Sequence, residues 1–325
     1  LTQIISMKKY LNLVVQEKTP LEGDVYQLIL SDPTGNPLPD FEPGAHIEVI
    51  TPQGLYRHYS LIGAGNAPHT YELGIKRMAN GRGGSLEIVD ELLVGQVIQV
   101  SLPENFFALE NADEYLFIAG GIGITPILSM IEHLHEIGHH HYHLIYCTRT
   151  FDQTPYLNRL KNMLKPEQLT LHHDEGSLSN QLDFWPFLAQ PKDGLIYCCG
   201  PSAMMEDVRG MTGHWEEGTV RFEDFGSAQT KPSLSEEDNS AFEVKHATSG
   251  LTYQIPANQT ILESLREQGI SLPSSCESGT CGTCLVKLVE GEADHRDFIL
   301  DQARQQSEIL ICISRSKSPV LVLDW

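Results

Sequence analysis

Along the first hundred residues, apolar and polar positions alternate in short runs: LNLVVQEK, VYQLILSD, HIEVIT, YELGIK and QVIQVSL, with the turn-rich PTGNP and GAGNAP between them. Short alternating runs at near-regular spacing predict an antiparallel β-barrel. After about Leu109 the pattern changes. An apolar run from Tyr115 to Ala119 meets a glycine turn, Ile127, Leu128, Ile131, Leu134 and Ile137 then recur at helical spacing, and a second strand follows in HLIYCT. Strand, helix, strand is the unit of a parallel α/β sheet, and LIYCC supplies a further strand. GSAQTKPSLSEEDNS, ending at Ser240, has no period and reads as a linker. Beyond it, FEVKHAT and LTYQIP predict two strands and Thr260 to Gly269 a helix. The expected organisation is multidomain: a β-barrel domain over 1–110, a parallel α/β domain over 111–226, a linker over 227–240 and a small α+β domain over 241–325.

Composition narrows the possibilities. A chain of 325 residues suits two or three domains, and its apolar content is ample for folded cores. A formal charge of -21 argues against nucleic acid and anionic membranes as partners. No stretch approaches the roughly 20 apolar residues of a membrane helix. LTQIISMKKY lacks the apolar core of a signal peptide, so a cytoplasmic location is expected.

The cysteines change the picture most. There are seven, an odd number, and Cys276, Cys281 and Cys284 crowd into PSSCESGTCGTC, with Cys312 later in ILICISRS. This is not the spacing of a disulfide framework. Cys-x4-Cys-x2-Cys followed by a distant Cys is the plant-type [2Fe–2S] spacing, whereas zinc more often uses paired Cys-x2-Cys knuckles, of which only one exists here. Small residues in the gaps let the loop wrap with its N–H groups turned toward cluster sulfurs.

AGGIGITP, residues 119–126, follows a strand and opens a helix, the context in which backbone N–H groups bind a pyrophosphate. Gly121 and Gly123 fit a dinucleotide fingerprint, but Pro126 stands where its third glycine would be. The next strand ends in Cys147-Thr148-Arg149, with no carboxylate for a ribose hydroxyl, so spacing alone does not choose between NADH and NADPH. A nicotinamide delivers two electrons together and a [2Fe–2S] cluster accepts one, so a flavin is expected between them. Its candidate ligands are Arg57-His58-Tyr59-Ser60 and the loop Gly81-Arg82-Gly83-Gly84-Ser85, the latter suited to a phosphate. The histidines of HHHYH, 139–143, invite a metal reading, but neighbours on a strand point to opposite faces.

RHYSL, GRGGS, GGIGITP, YCCGP, TGHW, RFEDFG, PSSCESGTCGTC and GEADHRD together resemble the reductases of Rieske oxygenase systems, of the phthalate dioxygenase reductase type, including vanillate demethylase reductases. The likeness covers nearly the whole chain in that family's domain order. It implies an FMN barrel, an NADH domain and a C-terminal β-grasp ferredoxin domain. It also implies FMN near Arg57, Tyr59 and Ser60, its phosphate at Gly83, Gly84 and Ser85, and Ile75, Lys76 and Thr125 lining the flavin pocket. Phe225 then matches an aromatic close to the flavin, Cys199 lies near the nicotinamide, with Cys198 a buried strand residue, and Asp174 favours NADH. His58 departs from the family, whose members often carry a smaller polar residue there. The implied activity is hydride transfer from NADH to FMN, then single electrons through the cluster to a Rieske-type terminal oxygenase. A stand-alone flavin reductase, or the reductase of a quaternary-amine monooxygenase, is the alternative.

Overall fold

The computed structural model describes residues 9–79, 81, 83–216, 218–225, 239–270, 272–274, 277, 279, 282–297 and 299–325, and the elements below are those of the described residues. The chain forms two compact units, one ending at Glu223 and one beginning at Asp224.

In the first unit, β1 (Tyr10–Pro20), β2 (Val25–Ser31), β3 (His46–Ile50), β4 (Tyr56–Ile62), β5 (Thr70–Lys76) and β6 (Val97–Ser101) close into a barrel of order β1-β2-β5-β4-β3-β6. The alternation of the sequence becomes inside and outside. Leu13, Val15, Leu28, Leu30, Ile47, Val49, Leu73 and Val100 fill the interior, while Asn12 and Gln16 of β1 face water. Closure leaves no unpaired edge.

Between β5 and β6, Gly84–Leu86 make one α-turn (α1) that runs into a π-helical segment, Glu87–Glu91. The glycine loop is thus the entrance to a short helical plug, where Ile88, Val89 and Leu92 cap the barrel interior.

The rest of this unit is a parallel sheet of order β11-β10-β7-β8-β9, made of β7 (Tyr115–Gly120), β8 (Tyr142–Thr148), β9 (Leu169–His173), β10 (Leu195–Cys199) and β11 (Val220–Glu223). Both faces are covered, which explains the continuous apolar runs. Phe117, Leu144, Tyr146, Tyr197 and Cys199 pack with α2 (Ile124–Glu136) and α3 (Leu157–Met163). Ile118, Ile145, Ile196 and Cys198 pack on the other face with α4 (Trp185–Leu188) and α5 (Ser202–Met211).

Val25 and Ile62 of the barrel belong to the same buried cluster as α2, so barrel and sheet share one core. Polar contacts reinforce the seam. Ser129 Oγ donates to Gly63 O at 2.7 Å, and Arg159 of α3 joins Glu72 of β5, at 2.8 Å, to Glu132 of α2, at 2.5 Å.

The second unit is a mixed sheet of order β13-β12-β18-β14-β16, from β12 (Phe242–His246), β13 (Thr252–Ile255), β14 (Leu285–Glu290), β16 (Glu308–Leu310) and β18 (Val320–Asp324), with β15 (Ala293–Asp294) and β17 (Arg315–Ser316) paired beside it. Helix α6 (Ile261–Glu267) buries Ile261, Leu262 and Leu265. Its start is written in the sequence: Glu263 N donates to Thr260 Oγ1 at 3.1 Å and Thr260 N to Glu263 Oε2 at 3.0 Å, a capping box. A helix across a mixed sheet is the expected α+β, β-grasp arrangement.

Candidate functional site

The order of the parallel sheet creates a crevice. From β7 the chain goes to β8 and β9 on one side, then returns to β10 and β11 on the other, so the loops leaving β7 and β10 diverge at a topological switch point. Gly121 has a φ of 54° and open space where a Cβ would stand. Gly123 lies so close to the backbone of Cys199 and Gly200 that a side chain there would overlap the Cys199 carbonyl. A Cβ on Gly200 would in turn come within 2.9 Å of the Gly120 backbone. The crevice exists because these positions lack side chains, and α2 begins at its rim.

Cys199 is fully buried on the α2 face, and Cys198 faces the opposite side, where burial pushes its thiol pKa well up. At the far end of the crevice, Asp174 follows β9. Its N–H donates to Thr148 O at 3.2 Å and its Oδ1 accepts from Gly176 N at 2.8 Å, which holds the carboxylate beside the end of β8. Glu175 N donates to Arg149 O at 2.8 Å, so Arg149 and Asp174 stand on adjoining loops. Phe225 follows β11 by two residues and is 37% exposed.

On the barrel, Arg57 and Tyr59 pair with Val49 and Ile47 and share their face of the sheet, whereas His58 and Ser60 pair with Glu48 and His46 on the other. His58 and Ser60 are therefore separated from Arg57 and Tyr59. Gly84 packs directly on the Arg57 side chain, and a Cβ there would overlap the guanidinium. Gly83 has a φ of 83° and Ser85 Oγ accepts from Met78 N at 3.1 Å, so the glycine loop is pinned against the end of β5. Arg82 lies outside the described residues.

Ile75 is buried on β5 and Lys76 ends that strand. Burial, and then the nearby Arg149 guanidinium, hold the Lys76 ammonium below the ordinary lysine pKa. Thr125 is buried where α2 meets β5: a Cβ on Gly74 would lie 2.7 Å from Thr125 Cγ2 and 2.8 Å from the Tyr156 hydroxyl. The end of β5, the start of α2 and Arg149 thus meet at one place. Gly74 and Tyr156 escaped the sequence reading. A glycine inside the strand pattern YELGIK was the available signal of close backbone approach. Nothing local marks Tyr156, which adopts a φ of 59° and is buried.

In the second unit, β14 and β16 are antiparallel with Leu285 opposite Leu310, which brings Cys284, just before β14, beside Cys312, just after β16. Both are 3% exposed, and Ile311 N donates to Cys284 O at 3.3 Å. Cys276 and Cys281 lie outside the described residues. Between them, Glu277 and Gly279 have φ of 55° and 81°, and Gly282 follows at 74°. Arg266 of α6 holds the loop by donating to Glu277 Oε1 at 2.7 Å and Ser274 Oγ at 3.0 Å. Two buried thiols converging at one sheet end suit a metal cluster.

Comparison with known proteins agrees with this division of chemistry. Residues 117–210 match the oxidoreductase NAD-binding domain family and residues 244–317 the 2Fe-2S iron-sulfur cluster binding domain family. The chain is 42% identical over 317 residues to phthalate dioxygenase reductase of Burkholderia cepacia, covering 97% of each. The chain belongs to the phthalate dioxygenase reductase family. It is an oxidoreductase with an NAD-binding and a [2Fe–2S] domain.

Vanillate O-demethylase oxidoreductase of a Pseudomonas species is 36% identical over 320 residues, covering 97% of this chain and 99% of that one. A solved phthalate dioxygenase reductase, described as a modular structure for electron transfer from pyridine nucleotides to [2Fe-2S], superposes with a TM-score of 0.72 over 97% of this chain and 98% of its own. An intact type IV self-sufficient cytochrome P450 monooxygenase matches 99% of this chain within 43% of its own length, at 31% identity and a TM-score of 0.82. Among the described residues no helix is long and apolar enough to cross a membrane.

Proposed function

We propose that this chain is the NADH-oxidising reductase component of a Rieske-type oxygenase system, working through FMN. The observation that carries the reading is the shared wall at Thr125 and Gly74, where the nucleotide turn packs against the barrel strand ending in Ile75 and Lys76. A dinucleotide held at Gly121 and Gly123 has its reactive end directed toward that strand. In this reading residues 1–110 hold FMN, 111–226 hold NADH, 227–240 tether and 241–325 carry the cluster.

Arg57, Arg82, Gly83, Gly84 and Ser85 hold the flavin phosphate; Tyr59, Ser60, Ile75, Lys76 and Thr125 hold the ring and its chain. Such a flavin accepts hydride and releases electrons singly, which is the chemistry it supplies between NADH and the cluster. Cys199 and Phe225 position the nicotinamide, and Asp174 receives the adenosine ribose, which selects NADH despite Arg149. Cys276, Cys281, Cys284 and Cys312 ligate the cluster. His58, on the same face of β4 as Ser60, stands beside the flavin with it. No acid–base side chain is needed: the chain orients the donor, excludes water and sets the potentials.

The relatives named above belong to systems for different aromatic compounds, as expected if the aromatic substrate never touches the reductase. Anaerobic titration of the purified protein with NADH tests the reading. Bleaching of both flavin and iron–sulfur bands, with FMN released on denaturation, supports it. Bleaching of flavin alone, with zinc in place of iron, would leave a stand-alone flavin reductase.

A further inference from the structure

The far end of the nucleotide crevice carries an aromatic ring that lies outside the buried clusters of its domain. Phe151 opens the short turn Phe151–Gln153 after β8 and is 58% exposed. A lone exposed apolar residue is ordinary on a protein surface and carries no meaning by itself. This one is held in place. The His173 ring meets it at 79° with centroids 6.2 Å apart, and Lys161 Nζ of α3 stands 5.2 Å from its centre, within cation–π reach.

The supports of the ring are themselves fixed. His173 Nδ1 lies 2.9 Å from Thr148 Oγ1, which lies 2.7 Å from Thr154 Oγ1, and Thr154 Oγ1 donates to Thr150 O at 3.0 Å, so the turn bearing Phe151 is fastened on both sides to the end of β8. The same strand ends hold Asp174, whose N–H donates to Thr148 O, and Glu175, whose N–H donates to Arg149 O. An open phenyl ring and a carboxylate thus stand on adjoining loops. β7, β8 and β9 are neighbours in the sheet, so these loops lie one and two strand spacings, ~5 and ~10 Å, from the glycine turn after β7. That is the reach of an adenosine joined to a pyrophosphate at Gly121.

We propose that Phe151 is the platform on which the adenine of NADH stacks, with Asp174 taking the ribose beside it. This rests on the reading above, in which the dinucleotide runs from Gly121 and Gly123 toward Asp174. A purine base offers a flat π face, and stacking on an aromatic side chain needs no hydrogen-bond donor from the protein. The His173 and Lys161 contacts order the ring in advance, which lessens the entropy lost on binding. Phe151 acts at the end of the cofactor remote from the hydride, so it contributes affinity equally to the bound donor and to the transition state. It therefore sets how much NADH is needed and leaves the rate of hydride transfer to the nicotinamide end.

Anaerobic stopped-flow reduction of the flavin in the full-length holoprotein, with NADH and with reduced nicotinamide mononucleotide as donors, tests this. The mononucleotide lacks the adenosine. Phe151→Ala should raise the NADH concentration for half-maximal reduction on the order of 10-fold, with little change in the limiting rate, and should not alter the response to the mononucleotide. Phe151→Tyr should restore the parent's NADH dependence. Trp185→Ala, which removes a 50% exposed aromatic beside His214 on α4, should change neither donor's response. Unchanged NADH dependence in Phe151→Ala, or equal loss with both donors, would overturn the proposal. Asp174→Ala tests the underlying placement. Loss with NADH alone, beside an unaffected Phe151→Ala, would refute the stacking and keep the adenosine at Asp174, whereas no discrimination between donors by either variant would refute both.

Discussion

The crevice between β7 and β10 and the cysteine loop of the second unit are opposite solutions to holding a redox group. The crevice is made by side chains that are missing, since Gly120, Gly123 and Gly200 let two backbone segments touch. The loop is made by side chains that are present, with Cys284 and Cys312 buried at one sheet end and Glu277 tied down by Arg266. A site built from thiolates should fail completely when one is removed. A site built from backbone contact should fail by displacement.

The comparison is broken most severely by Cys312→Ala. The expected result is a protein without its cluster, detected by loss of iron and of its visible bands, that reduces cytochrome c at close to background while NADH still bleaches the flavin. Normal cytochrome c turnover in that variant would remove the cluster from the electron route.

Gly123→Ala should slow flavin reduction by NADH on the order of 10–100-fold in stopped-flow, because the backbone it displaces positions the donor. Its cluster should remain intact. Gly210→Ala, in α5 with open space around it, should do the reverse and stabilise the fold by ~0.5–1 kcal/mol in urea unfolding. If both glycines tolerated alanine equally, the crevice would not depend on close approach.

Arg159→Met addresses the seam between barrel and sheet. It strands Glu132 and leaves Glu72 with Gln27, and because Arg159 is one-third exposed, the cost is expected at ~1–3 kcal/mol in chemical denaturation, below that of a wholly buried pair.

The smallest effect concerns pH. Burial raises the Glu132 carboxyl above its ordinary value, outweighing the attraction of Arg159. Across the window just above 4.5 the folded protein therefore keeps a proton that the unfolded chain has released, and stability falls as pH rises through it. Glu132→Gln should flatten that part of the stability profile. A steeper profile would contradict the assignment.

These two regions also differ in how far they could be read in advance. The [2Fe–2S] domain was legible because cysteines are chemically distinctive and lie close together in sequence, and the strands and α6 were legible from periodicity and the Thr260 cap. The crevice was legible only as a turn. Pro126 spoiled the usual glycine fingerprint, and the contact that matters, Gly123 against Cys199, joins segments far apart in the chain. The orientation of His58 was hidden for a related reason. Proximity to Arg57 and Tyr59 in sequence says nothing about pleat, and alternation sends its side chain to the other face, toward His46 and Glu48.

The common core that Val25 and Ile62 form with α2 has a practical meaning for anyone building hybrid reductases. A graft that exchanged the barrel alone would place foreign residues opposite Thr125, Ser129 and Arg159, and would have to re-evolve that contact surface. A cut beyond Phe225 leaves that seam whole. The transferable cassette is therefore barrel and sheet together.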